Sequence, residues 1–120
     1  MSSRYVNDDK IRCPCGCGRG LIFTSWRLLE LLDELSEAMG RPVVIKEIYR
    51  CERYNTAVGG SLNSLHTRGL AADTLWPDGL SKADYELMVR RLSFDGVVVY
   101  DWGIHVDVRN GGVGGSSPFE

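Results

Sequence analysis

The sequence is most informative between residues 64 and 73, which read Ser64-Leu65-His66-Thr67-Arg68-Gly69-Leu70-Ala71-Ala72-Asp73. A histidine and a carboxylate, His66 and Asp73, are separated here by a glycine and small alanines. Small residues let a backbone pass close to a site, and Gly69 permits a sharp reversal of the chain. We therefore expect both side chains to converge on one point.

The second histidine of the chain supplies a third group. The sequence has only two histidines, His66 and His105, and alternation over 104–109 predicts a strand with His105, Asp107 and Arg109 on one polar face. Two imidazoles and one carboxylate suit zinc, and three protein ligands leave the fourth position for water. Such an ion lowers the pKa of its bound water to about 7 and polarises a substrate carbonyl. The alternative interpretation is that both histidines are ordinary surface or core groups.

The flanking segments predict a small α+β domain. Leucines recur at helical spacing after Thr24 and Ser25, which can cap a helix, and Gly40 ends the pattern. Residues 51–65 lack periodicity and are expected to form a loop with a helical turn near 55–58. The other predicted elements are strands over 43–49 and 70–76, a helix from Ser81, and a hairpin over 97–109 with its turn at 101–103. The expected architecture is one antiparallel sheet with helices packed on one side.

Length and charge exclude several classes of protein. The chain has 120 residues, and 14 Lys+Arg against 16 Asp+Glu give a net charge of -2, so we expect one domain over 1–109 and no nucleic-acid partner. The Gly/Ser-rich tail, 110–120, is expected to be flexible. No apolar run approaches the roughly 20 residues that span a bilayer, and no signal peptide is recognisable. We expect a monomer, made in the cytoplasm without a membrane partner.

Four cysteines, Cys13, Cys15, Cys17 and Cys51, form the other notable group. They can be free thiols, disulfides, or ligands of a second, structural zinc ion. The spacing Cys-x-Cys-x-Cys differs from the usual Cys-x-x-Cys knuckle, and synthesis in a reducing cytoplasm counts against disulfides. The sequence leaves all three states open.

Several segments together resemble a known family. The motif Ser64-x-His66-x-x-Gly69-x-Ala71-x-Asp73 is followed by His105-x-Asp107. The further segments are Cys15-Gly-Cys-Gly18, Gly40-Arg-Pro-Val-Val-Ile45, Tyr49-Arg50-Cys51, Asn55-x-Ala57-Val58-Gly59-Gly60 and His105-Val-Asp-Val-Arg109. Over about residues 12 to 109 the chain resembles the M15 family of zinc D-alanyl-D-alanine peptidases, especially the short members carried by bacteriophages and bacteria. The resemblance implies the fold shared with the hedgehog signalling domain, and zinc bound by His66, Asp73 and His105.

The resemblance also implies two substrate-binding residues. In such enzymes an arginine that follows a tyrosine on an early strand points at the substrate, which corresponds here to Arg50. A fixed guanidinium can stabilise a tetrahedral oxyanion or hold a terminal carboxylate, whereas the alternative is a surface salt bridge. Ser64 matches a position that contacts the substrate backbone in relatives; the alternative is a hydroxyl that caps a loop.

The general base is the point at which the chain departs from the family. Dipeptidase relatives place a glutamate three residues before the second histidine, and here that position is Trp102, which is expected to line the cleft. Asp101, one residue earlier, is the preferred catalytic base. Asp107 lies about 7 Å along the strand from His105, a separation that suits a group orienting a ligand or an arginine.

The resemblance supplies the substrate class. It implies a zinc peptidase that hydrolyses peptidoglycan stem peptides, as a D-Ala-D-Ala carboxypeptidase or an endolysin-type endopeptidase. The expected setting is the bacterial cell wall, reached after phage lysis or as a virion component. The alternative is a non-hydrolytic zinc-binding or virion structural protein on the same fold.

Overall fold

Four strands form a single antiparallel sheet in the computed structural model, which describes residues 3–21 and 23–111. The strands are β1 (Ile45–Glu47), β2 (Ala71–Leu75), β3 (Gly96–Val99) and β4 (Gly103–Asp107). Their order is β1-β2-β4-β3, and each neighbouring pair is antiparallel. The helices are α1 (Asp8–Ile11), α2 (Trp26–Met39), α3 (Glu52–Ala57) and α4 (Lys82–Arg90), with a 3-10 turn at Leu65–Arg68. The predicted α+β class with an antiparallel sheet is confirmed.

Helix α2 begins and ends where its capping residues predict. The Ser25 hydroxyl accepts a hydrogen bond from the Leu28 N–H, and Gly40 adopts the left-handed conformation that terminates the helix. The leucine face is buried in the core. These features depend on residues close in sequence, which is why the periodicity alone predicts them.

Two segments differ from the sequence prediction. Strand β1 covers only 45–47 instead of 43–49, because the Val43 N–H donates to the Ser36 hydroxyl and the Ile48 carbonyl faces His66 Nδ1 at 2.7 Å. Both backbone groups are thereby lost to the sheet ladder. The predicted loop over 51–65 contains helix α3, which starts earlier than the expected turn at 55–58 because the Cys51 sulfur accepts from the Tyr54 N–H and caps it.

The sheet has two different faces. Ala72, Ile104 and Val106 pack into the hydrophobic core with leucines of α2 and with Val89 of α4. The alternate residues of β2 and β4 carry the polar side chains, as the period of two predicts. That polar face is also covered: His105 is only 1% exposed and Asp107 is 0% exposed. A buried polar face requires partners for each of its groups, and these partners form the site described below.

A close backbone contact holds the 3-10 turn against the start of α2. Gly69 has a φ of +70°, and a Cβ added there would lie 1.9 Å from the Phe23 carbonyl oxygen. The Ser25 N–H also donates to the Gly69 carbonyl at 2.7 Å. The chain reversal expected at Gly69 therefore occurs, and it places His66 against the polar face of the sheet.

We expect Gly69→Ala to lower the free energy of unfolding by about 2–4 kcal/mol, because it combines left-handed strain with a backbone clash. Gly40→Ala is the matched control, since Gly40 has a φ of +76° and no atom within 4 Å of the added Cβ. The control should cost about 1 kcal/mol. Urea unfolding of both variants measures the difference, and equal losses would contradict the role assigned to the contact.

Of the predicted flexible tail, 110–120, only residues 110 and 111 are described, so the prediction for 112–120 lies outside the described residues. Within the described ranges, no helix has the length and apolar character that crossing a bilayer demands.

Candidate metal centre

His66, Asp73 and His105 converge at one point of the buried polar face. His66 comes from the 3-10 turn, while Asp73 and His105 are direct cross-strand partners on β2 and β4. The Asp73 Oδ1 atom lies 3.3 Å from His66 Nε2 and 3.0 Å from His105 Nδ1. All three residues are buried, and one ligand atom from each lies within 4.8 Å of the others. The convergence expected from the sequence is present.

The remaining ring nitrogens determine what the site can bind. His66 Nδ1 lies 2.7 Å from the Ile48 carbonyl, and His105 Nε2 lies 3.0 Å from Asp107 Oδ2. Both nitrogens face acceptors, so each is placed to donate a hydrogen bond. His66 Nε2 and His105 Nδ1 are the nitrogens left to bind a cation together with Asp73 Oδ1. Among the described residues, His66 Nε2 is buried and has no hydrogen-bond partner. Three converging acceptors fit a divalent cation.

The charges of the two aspartates suit this arrangement. Burial by itself raises the pKa of Asp73, but its contacts with His105 and His66 outweigh burial and hold the pKa below its ordinary value. Burial likewise raises the pKa of Asp107, and the bonds from Arg109 and His105 bring it below the ordinary value. Both carboxylates are therefore anionic at neutral pH, one as a ligand and one orienting His105.

Asp107 is held by a second group as well. The Arg109 guanidinium donates to both of its oxygens, from Nε to Oδ1 at 2.8 Å and from Nη2 to Oδ2 at 2.6 Å. This places Asp107 where the sequence analysis expected it, between a histidine and an arginine. Successive contacts link Asp73, His105, Asp107 and Arg109 across the face, so each buried polar group has a partner that offsets the cost of its burial.

A cavity of about 700 Å³ opens onto the three converging side chains. Its walls include Lys46, Glu47, Arg50, Ser64, Tyr100 and Trp102. Tyr100 and Trp102 stack with ring centroids 4.9 Å apart, and the Lys46 ammonium lies 4.4 Å from the centre of the Trp102 ring. The cavity thus has one aromatic wall with a cation above it. Trp102 lies where the sequence analysis placed it.

Arg50 lines this cavity and is largely buried, so its ion pairs do not lie on the surface. Its side chain is 14% exposed, and its Nη1 donates to Asn55 Oδ1 at 2.9 Å. Its Nη2 lies 4.0 Å from Asp73 Oδ2. The guanidinium is therefore fixed beside the candidate ligands, as a group that stabilises developing negative charge must be.

Glu47 is the residue that the sequence analysis missed. It lies on β1 opposite Asp73, its side chain is 13% exposed, and it lines the cavity. Glu47 Oε1 and Arg50 Nε are 2.8 Å apart, yet within the described residues neither atom has a well-oriented hydrogen-bond partner. Both atoms are buried, and the two residues line the cavity beside the three converging side chains. The only signal in the sequence is a carboxylate three residues before Arg50 on a predicted strand.

Ser64 and Asp101 lie in different surroundings. The Ser64 hydroxyl accepts from the His66 N–H at 3.2 Å, so it caps the turn, and the residue also lines the cavity. Asp101 is exposed and is not among the residues that line the cavity; its carbonyl accepts from Trp76 Nε1 at 2.8 Å. The structure brings Ser64 to the site and leaves Asp101 outside it, and the catalytic role of Asp101 stays a prediction.

Comparison with known proteins gives the family. The family model described as Peptidase M15 matches residues 4–109. The chain belongs to the peptidase M15 family. The match includes every residue of the centre and confirms the resemblance carried by the His66 and His105 motifs. A search of curated proteins found no match to this M15 peptidase.

Proposed function

We propose that this M15 peptidase is a zinc-dependent hydrolase that cuts stem peptides of peptidoglycan. The observation that carries the proposal is the convergence of His66 Nε2, Asp73 Oδ1 and His105 Nδ1, with the other nitrogen of each ring already facing an acceptor. This donor set suits zinc with an open coordination position. When bound there, zinc supplies a Lewis acid that polarises a carbonyl and makes water more acidic.

Glu47 is the group we assign to proton transfer. Glu47 lines the cavity and lies on β1 opposite Asp73. Its carboxylate accepts the proton of the attacking water and later delivers it to the leaving amine. Asp101 is the competing candidate, since the sequence analysis prefers it.

Arg50 and the aromatic wall bind the substrate. Arg50 lines the cavity, and its guanidinium can donate to the carbonyl oxygen as negative charge develops on it. The Lys46 ammonium above Trp102 offers a positive charge to a free carboxylate of the stem peptide. The substrate class itself rests on the family resemblance, as does the proposed setting on the cell wall after phage lysis or within a virion.

The test incubates the purified protein and zinc with peptidoglycan fragments, and identifies the released peptides by mass. We expect release that depends on zinc and stops with a chelator. Single D-alanine would identify a carboxypeptidase, and larger peptides an endopeptidase. Zinc-loaded protein that releases nothing from any fragment would overturn the proposal and favour the non-hydrolytic alternative. Arg50→Lys is the matched variant, because it keeps the positive charge and removes the planar guanidinium group.

A further inference from the structure

Four cysteine sulfurs gather at a second place, away from the centre described above. Cys13, Cys15 and Cys17 lie on the loop between α1 and α2, and Cys51 is the residue that caps α3. Cys13 Sγ is 3.4 Å from Cys15 Sγ, which is 3.7 Å from Cys51 Sγ. All four sulfurs lie within 4.8 Å of one another.

These distances fit one ion and not two disulfides. A disulfide requires about 2.05 Å between sulfurs, and all four cysteines are free. Zinc bonded to four sulfurs at about 2.3 Å in a regular tetrahedron places them about 3.8 Å apart. The sulfurs surround a common point instead of forming two pairs.

The loop geometry explains how the unusual Cys-x-Cys-x-Cys spacing reaches this arrangement. Gly16 and Gly18 alternate with the cysteines and have φ values of +84° and +81°, which other residues rarely adopt. The Cys13 N–H donates to the Arg19 carbonyl at 2.8 Å and closes the loop. The chain therefore turns between successive cysteines and presents all three sulfurs to one side.

Backbone amides are directed at the sulfurs. The Cys51 N–H donates to Cys13 Sγ at 3.3 Å, and the Tyr54 N–H donates to Cys51 Sγ at 3.4 Å. Amide donors of this kind stabilise the thiolates that a metal ion requires. Arg19 and Arg53 line the adjacent cavity together with one carboxylate, Glu52, so positive charge partly offsets that of four thiolates.

We propose that Cys13, Cys15, Cys17 and Cys51 bind a structural zinc ion. Four protein ligands close the coordination sphere, so the ion has no position for substrate. Its role is to tie the N-terminal loop to the junction of Arg50 and α3, since Cys51 directly follows Arg50. The proposal does not depend on the function proposed above, because it uses none of the same ligands.

The first test counts zinc in purified protein by elemental analysis. We expect two ions per chain in the wild-type protein, one in Cys17→Ser, one in Asp73→Asn and none in the double variant. Cys17 is exposed, so its replacement leaves the core intact. An unchanged zinc content in Cys17→Ser would overturn the proposal, as would iron in place of zinc. Loss of an ion in Asp73→Asn together with an unchanged content in Cys17→Ser is one form of that overturning result, because the only zinc site is then the one at Asp73.

The second test uses cobalt as a spectroscopic probe of the cysteine site. Cobalt added to the metal-free wild-type protein should give the strong sulfur-to-metal charge-transfer absorption of a thiolate site. That absorption should persist in Asp73→Asn and weaken in Cys17→Ser. We also expect the Cys17→Ser midpoint of thermal unfolding to fall by about 10 °C. A disulfide found by mass analysis of the unreduced protein, or absence of the charge-transfer band, would overturn the assignment.

Discussion

Asp73→Asn is expected to abolish hydrolysis and to weaken zinc binding at the His66 and His105 site by at least about 100-fold. Asparagine keeps the shape of the side chain but removes the anionic oxygen that faces both imidazoles at 3.0 and 3.3 Å. Loss of a group that only orients a ligand already costs about 10- to 100-fold in affinity, so loss of a ligand costs more. Competition with a zinc-binding dye measures the affinity, and peptide release measures hydrolysis.

Asp78→Asn is the matched control for this variant. It is the same substitution at an exposed turn residue, and Asp78 is not among the residues lining the cavity. Zinc binding and peptide release should equal those of the wild-type protein. If Asp73→Asn retained both full activity and full affinity, the three converging side chains would not be the metal centre.

Glu47→Gln is the second variant with a large expected effect. We expect kcat/KM to fall by about 100- to 10,000-fold, the range typical of a lost proton acceptor. Zinc content should not change, because glutamine retains the volume and Glu47 is not among the three converging groups. Steady-state kinetics of peptide release measures catalysis, and elemental analysis of the same sample measures metal binding.

Asp101→Asn discriminates between the two candidate bases. If Glu47 is the base, Asp101→Asn keeps nearly full activity, since Asp101 is exposed and lies outside the cavity lining. If Asp101 is the base, as the sequence analysis prefers, this variant loses hydrolysis with its zinc content unchanged. Normal kinetics in Glu47→Gln would reject the assignment made from the structure.

The fold was accessible to sequence analysis wherever neighbouring residues decide it. The cap at Ser25, the stop at Gly40 and the hairpin around 101–103 depend on bonds within a few residues. The ends of β1 were not predictable, because they depend on Ser36 and His66, which are distant in sequence and contact the backbone at Val43 and Ile48. A local pattern of residue types does not show which distant residues compete for the backbone groups of a strand.

Within the site, the position of Glu47 could not be predicted from the sequence for a similar reason. Its place opposite Asp73 results from an irregular register, in which Ile45 pairs with Thr74 and Glu47 with Asp73. A shift of one residue would turn the carboxylate to the other face of the sheet. Alternation within β1 gives no information on that register, so the sequence analysis turned to Asp101, which is close to His105 in sequence.

Residue types and spacing alone identify the chemical groups of the protein: two histidines, an aspartate between small residues, an arginine after a tyrosine, and four cysteines. Their positions relative to one another depend on the folded chain. Pairing of β2 with β4 sets Asp73 against His105, and the turn at Gly69 carries His66 to both. The physical reason is that residue type is local, whereas the direction of a ring nitrogen or a sulfur depends on backbone partners many residues away.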